Sequence, residues 1–254
     1  NATAPAPYVV VTATSALSEE VSAPATPVPA TPEVQATITP QPLLPAVTDE
    51  VQPVEPFSNE TGFFDDFSAK TFGWLEIDEA RRIVQYEDGA YSFQMYAKDD
   101  FDIVDLPLEF SPAEIAFDVQ GVEGMDDGTF GVFCQYQDQS NYYYVEFDLL
   151  EGRYVIAQSL DGEYVPLTIP NAEGEYWLVS EALKPPSQKN HIELECSLDS
   201  LTVKANGEPM DLVFVEKPFT QAGSASLFVY TYEFAGDEGY KVLFDNLEAY
   251  PEIP

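Results

Sequence analysis

Positive charge is scarce in this sequence: 10 Lys and Arg stand against 45 Asp and Glu, for a formal net charge of −35. Such a surface repels phosphate backbones, which excludes nucleic acid as a partner. It suits an exported, soluble protein and attracts divalent cations or cationic partners. There is one histidine, His191, and only two cysteines, Cys134 and Cys196. Neither a serine–histidine–aspartate triad nor a zinc site is expected from so few ligands and bases. No run of 18 apolar residues occurs, so no transmembrane helix is expected. The sequence opens at Asn1 without a methionine, and the expectation is a mature chain from which an export leader has been removed.

A second set of absences divides the chain. Residues 1–56 hold no glycine, no Lys or Arg and one aromatic residue, Tyr8, yet carry 11 of the 21 prolines. From Phe57 onward aromatics crowd in and proline thins. The expected organisation is an extended Pro/Ala/Thr-rich N-terminal arm over 1–56 and one folded domain over 57–254. At polyproline pitch, about 40 residues of such an arm reach on the order of 120 Å.

What the domain does have is strand pattern. RIVQYED, GAYSFQMYA, AEIAFDV, TFGVFCQYQ, NYYYVEFDL, GRYVIAQSL, HIELECSL, LTVKANG, SASLFVYTY and KVLFDNLEAY are rich in β-branched and aromatic residues, and many alternate between apolar and polar. Turn signals separate them, among them Asp88-Gly89, Asp127-Gly128, Glu151-Gly152, Asp161-Gly162 and Asn206-Gly207. The one helical candidate, near Ser180–Leu183, is a single turn. Many short strands without βαβ alternation predict an all-β, two-sheet antiparallel sandwich.

Alternation also places the cysteines. Cys134 shares a face with Phe130 and Val132, and Cys196 shares one with Ile192 and Leu194. Both faces are apolar and point inward, so the two sulfurs are expected to meet as a disulfide, with two buried thiols as the alternative.

The opening DDFSAKTFGW, with Asp65, Phe67, Ser68, Gly73 and Trp74, has the entry pattern of a known module. The hairpin FGVFCQYQDQSNYYYVEF, the second Cys strand with its Asn-Gly turn HIELECSLDSLTVKANGE, and the closing VLFDNLEAY continue it. Over roughly residues 63–250 the chain resembles the concanavalin A-like (laminin-G-like) jelly-roll module of bacterial surface lipoproteins. The VVVTAT run followed by Pro/Thr repeats is similar to the spacer of such lipoproteins. The resemblance implies a jelly-roll fold and a cell-surface or extracellular location. It leaves function open, because that superfamily includes lectins, glycoside hydrolases and structural modules.

One stretch speaks for catalysis. Glu146-Phe147-Asp148-Leu149-Leu150-Glu151 spells E-x-D-x-x-E and so resembles the catalytic signature of family 16 glycoside hydrolases. That resemblance would make Glu146 the nucleophile and Glu151 the acid/base of a β-glucan hydrolase. Alternation puts Glu146 and Asp148 on one face, and a bulge would bring Glu151 onto it, about 5–5.5 Å from Glu146. The bland alternative is that Glu151-Gly152 is simply the turn between two strands. For sugar platforms the sequence offers Trp74, Trp177 and the run Tyr142-Tyr143-Tyr144, where alternation sends Tyr143 to the face opposite its neighbours. His191 alternates with Glu193 and Glu195 and is expected to be solvated. No cofactor is expected beyond Ca2+, for which Asp99-Asp100, Asp126-Asp127 and Asp237-Glu238 are oxygen-rich but lack a recognised spacing. Asn1 and Asn59 begin glycosylation sequons.

The arm carries its own signal. Tyr8, Val9, Val10, Val11, Thr12, Ala13 and Thr14 form a strand-prone run with nothing in the arm to pack against. They are expected to donate a strand to the sheet edge of another copy, with residues 34–39 (VQATIT) as a second candidate. Repeated head to tail, that exchange builds a filament. The leading expectation is therefore a non-enzymatic structural subunit of an extracellular assembly. A surface-tethered carbohydrate-binding module is the first alternative, and a family 16-like hydrolase the second.

Overall fold

Strands with alternating apolar side chains gain little alone and must close a core between two layers. The computed structural model describes residues 62–251, other than 109, 234, 235 and 237. The arm, its boundary at 56/57, the Tyr8–Thr14 strand, the 34–39 segment and both sequons, Asn1 and Asn59, lie outside the described residues. Within them there is no helix; Ser180–Leu183 is a hydrogen-bonded turn in which Leu183 N donates to Ser180 O.

Two antiparallel sheets form the sandwich expected from the sequence. The first runs in the order β14 (Glu208–Phe214), β13 (Ser200–Ala205), β12 (Asn190–Cys196), β6 (Pro112–Glu123), β16 (Tyr240–Pro251), β4 (Ala90–Met95), β3 (Arg82–Glu87) and β2 (Ile77–Glu79), with β1 (Phe63–Asp65) also paired to β16. The second runs β10 (Glu163–Pro166), β9 (Arg153–Leu160), β8 (Asn141–Asp148), β7 (Gly128–Asp138), β15 (Ser224–Thr231) and β5 (Asp100–Asp105), with β11 (Leu178–Val179) also paired to β9. All ten segments read as strands are strands. β5 and β14 escape the sequence pattern because acids and a proline break their apolar runs.

Between the sheets lie Phe93, Phe117 and Phe244 from the first and Phe130, Val145 and Phe147 from the second, all fully buried. Cys134 on β7 and Cys196 on β12 are bonded to each other, so the disulfide ties one sheet to the other through the core. An ion pair between Arg82 on β3 and Asp102 on β5 is a second cross-sheet tie.

The opening motif has a local cause. Asp65 is buried and accepts hydrogen bonds from Phe67 N at 2.8 Å and from Trp74 Nε1 at 2.8 Å. Phe67 sits at φ 52°, a conformation that costs a bulky residue energy, and the Asp65 carboxylate holds it there. Burial pushes the Asp65 carboxyl above its ordinary range, while the two hydrogen bonds oppose that shift. Trp74 is therefore core, only 4% exposed, and is not the sugar platform its residue type suggested.

Candidate functional site

The two outer faces differ in chemistry. On the first sheet Glu114, Glu193, Glu195, Glu248 and Lys204 line a recess of about 220 Å³, an acidic lining in which Tyr250 is the one phenol. His191 is paired there rather than merely solvated: its Nδ1 lies 2.8 Å from Asp118 Oδ1. The sequence could not show this, because Asp118 comes from β6, opposite His191 only through strand pairing.

On the second sheet a group of outward residues is aromatic. Register sets Phe101 of β5 opposite Tyr230 of β15, Phe228 opposite Gly131 of β7, Gly131 opposite Glu146 of β8, and Phe133 opposite Tyr144. These side chains, with Tyr142, line an open recess of about 370 Å³. Phe133 is the centre of the cluster, with ring centroids 4.5 Å from both Tyr142 and Phe228. Gly131 is the floor: a Cβ there would collide with the Phe228 ring and with Val145 O, so only glycine lets that ring lie across the sheet. At the rim, Tyr164 is 53% exposed and stands 6.4 Å from Tyr144. Of the tyrosine run, Tyr143 points inward and is fully buried, as alternation predicts.

Glu146 is the single charged residue lining this recess. Thr129 Oγ1 donates to its Oε1 at 2.5 Å, its one hydrogen-bond partner among the described residues. Burial pushes its carboxyl up to about 7; the Asp148 charge adds to the rise, while Thr129 and Arg153 oppose it. Asp148 is buried and committed elsewhere: it accepts from Arg153 Nη2 at 2.9 Å and from Glu151 N at 3.1 Å. Arg153 in turn lies over the Trp177 ring at 5.2 Å.

This arrangement departs from the expected catalytic geometry. β8 ends at Asp148, and Glu151 is exposed in the tight turn to β9, capped onto Asp148 through its backbone. There is no bulge to return Glu151 to the strand face, because Asp148 pairs directly with Arg153. Of the three acids, Glu146 alone opens into the recess.

Two of the acids considered for calcium have protein partners. Asp99 accepts from the Tyr230 hydroxyl at 2.9 Å and Asp100 pairs with Arg81 at 3.0 Å. Asp127 is buried and Asp126 lies in the same turn, while Asp237, the partner expected for Glu238, lies outside the described residues. No group of three or more His, Cys, Asp or Glu side chains converges among the described residues.

Glu146 makes stability pH-dependent in a definite sense. Its folded pKa, about 7, lies above the ordinary 4.5, so the fold holds the proton more tightly than the unfolded chain does. Below the ordinary value both states are protonated and the effect is nil. As pH rises from there to about 7, stability is lost, and it stays lost above. Glu146→Gln is therefore expected to be more stable than the parent by roughly 1–2 kcal/mol at pH 8, allowing for solvent at a half-buried site, and equal to it at pH 4. Guanidinium unfolding at the two pH values measures this; an equal or lower stability at pH 8 refutes it.

No protein-family model matches the sequence, and neither does any curated protein. Solved structures do share the fold. A protein of unknown function with a galectin-like fold from Bacillus subtilis is 11% identical, at a TM-score of 0.55, over 75% of this chain and 96% of its own. The Bacillus licheniformis β-glucanase is 7% identical, at 0.55, over 76% and 99%. Crh5 transglycosylase is 10% identical, at 0.54, over 76% and 85%. At such low identity the likeness is one of architecture: the described domain is a two-sheet antiparallel jelly roll of the galectin-like, concanavalin A-like kind.

Proposed function

We propose that this chain is a non-enzymatic carbohydrate-binding module and that the aromatic recess on the second sheet is its binding face. The observation that carries this is the ring cluster itself. Phe101, Tyr142, Tyr144 and Tyr230 gather around one carboxylate on an open sheet face, over the buried rings of Phe133 and Phe228, where a monomer would ordinarily place polar side chains. Rings stack on the C–H faces of sugars, and a carboxylate and tyrosine hydroxyls bond to their polar edges. The β-glucanase and the transglycosylase that share the fold act on sugars by their names, which supports the same ligand class here. Acidic glycans are disfavoured, since Glu146 and a net charge of −35 repel them.

Binding without hydrolysis is the better reading because a retaining mechanism needs two carboxyl groups about 5–5.5 Å apart across the bond. Glu151 lies exposed in the turn and Asp148 is paired with Arg153. The disulfide fits an oxidising, extracellular setting, and the proline-rich arm would serve there as a spacer.

A glycan array probed with the full chain, followed by calorimetry, tests the proposal. Binding to neutral or amino-bearing glycans is expected, and Tyr142→Ala is expected to weaken it roughly tenfold. Silence across the array would remove the reading. Release of reducing ends from a β-glucan, abolished by Glu146→Gln, would replace it with the hydrolase.

A further inference from the structure

The recess is lopsided in its chemistry. Neutral sugar sites spread several hydrogen-bonding groups around an aromatic floor. Here six of the seven lining residues are aromatic and the seventh is Glu146. No lining residue is basic; the nearby Arg153 is held by Asp148 at 2.9 Å. Glu146 Oε1 takes the Thr129 hydroxyl, and its Oε2 accepts no hydrogen bond among the described residues. A carboxylate half-buried among ring faces with no counter-charge of its own is poorly solvated, and an organic cation relieves it in two ways. The ammonium pairs with the carboxylate, and its polarised C–H or N–H groups lie against the negative faces of the rings.

We propose that this recess receives the ammonium group of an amino-bearing glycan, seated against Glu146 and the rings of Tyr142, Tyr144 and Tyr230. The inference rests on the face being a ligand site and names the chemistry it selects. The net charge of −35 draws cationic ligands toward the domain from a distance. Selection among glycans then depends on the amine: an N-acetyl group removes the charge and the attraction with it.

The charge on Glu146 sets the pH response. Asp148 on its own strand is paired with Arg153 of β9. The phenols of Tyr144, Tyr164, Tyr230 and Tyr232 are all pushed up, mainly by burial, and stay neutral. Glu146 is thus the facing group that changes charge near neutrality, and the site binds a permanent cation more tightly once it ionises.

The experiment is calorimetry on the full chain with three probes. Choline chloride is a cation at every pH; glucosamine oligomers carry the amine; N-acetylglucosamine oligomers of equal length do not. Choline affinity is expected to rise about tenfold between pH 5 and pH 8, and Glu146→Gln is expected to abolish that rise. At pH 7 the amino oligomers are expected to bind about tenfold more tightly than the acetylated ones. Choline binding that is absent, or unchanged in Glu146→Gln, overturns the proposal. So does equal binding of the two oligomers, although the carbohydrate reading then survives. Choline binding with silence from every oligomer has the opposite meaning: the cation site stands and the carbohydrate reading falls. Thermal unfolding of the variant no lower than the parent's at pH 5 excludes loss of fold as the cause.

Discussion

Replacing both Cys134 and Cys196 by alanine is expected to lower stability by about 4 kcal/mol. The two residues are 62 apart in sequence, and in the chain-entropy model a cross-link of that span removes about this much freedom from the unfolded chain. The bridge also joins β7 to β12 across the core, so each sheet constrains the other's position. Both sulfurs are fully buried, and removing them leaves a small void in addition to the lost constraint. Guanidinium unfolding of the double variant should show a markedly lower midpoint, with a slope at least as steep as the parent's because its unfolded chain is more open. A loss below about 1 kcal/mol would mean that the bridge does little for the fold.

Phe244→Ala is expected to cost roughly 3–5 kcal/mol. The ring is fully buried on β16, the strand that pairs with β1, β4 and β6. Its centroid lies 5.6 Å from Phe93 and from Phe117 in its own sheet and 5.8 Å from Phe130 in the other. Truncation therefore opens a hole at the contact between layers, where packed strands cannot easily close in. For a domain of this size the melting temperature should fall by on the order of 10 °C. Phe214→Ala is the control: Phe214 is 73% exposed on the edge strand β14, and its loss should lie within about 0.5 kcal/mol. Similar losses from both would mean that the core is not where the buried rings place it.

How far the chain could be read in advance depended on the range of the interaction. Cys134 and Cys196 were legible because a period of two assigns each sulfur to an apolar face, and two inward faces meet in a sandwich. The same rule put Tyr143 on the face opposite Tyr142 and Tyr144, and the structure makes that face the inner one. Trp74 misled because its ring looked like a platform, while its indole N–H is consumed by Asp65, nine residues earlier. Glu151 misled because the spacing of three acids does not reveal whether a strand bulges or turns; here it turns.

The binding face was the least legible part. Phe133 and Phe228 each lie within recognised strands, opposite in phase to Val132 and Leu227, and that outward aromatic phase was the signal available. Their meeting with Phe101, Glu146 and Tyr230 depends on the order β8–β7–β15–β5, which joins residues more than a hundred positions apart.

The sequence by itself determined the all-β class, the ten principal strands and the apolar face that each cysteine shares, because alternation is a local property of extended backbone. Only the tertiary structure decided which outward rings share a recess, that Glu146 opens into it while Asp148 and Glu151 do not, and that His191 meets Asp118. Those outcomes depend on strand order and register, which are settled when the two apolar faces close against each other and water leaves the core.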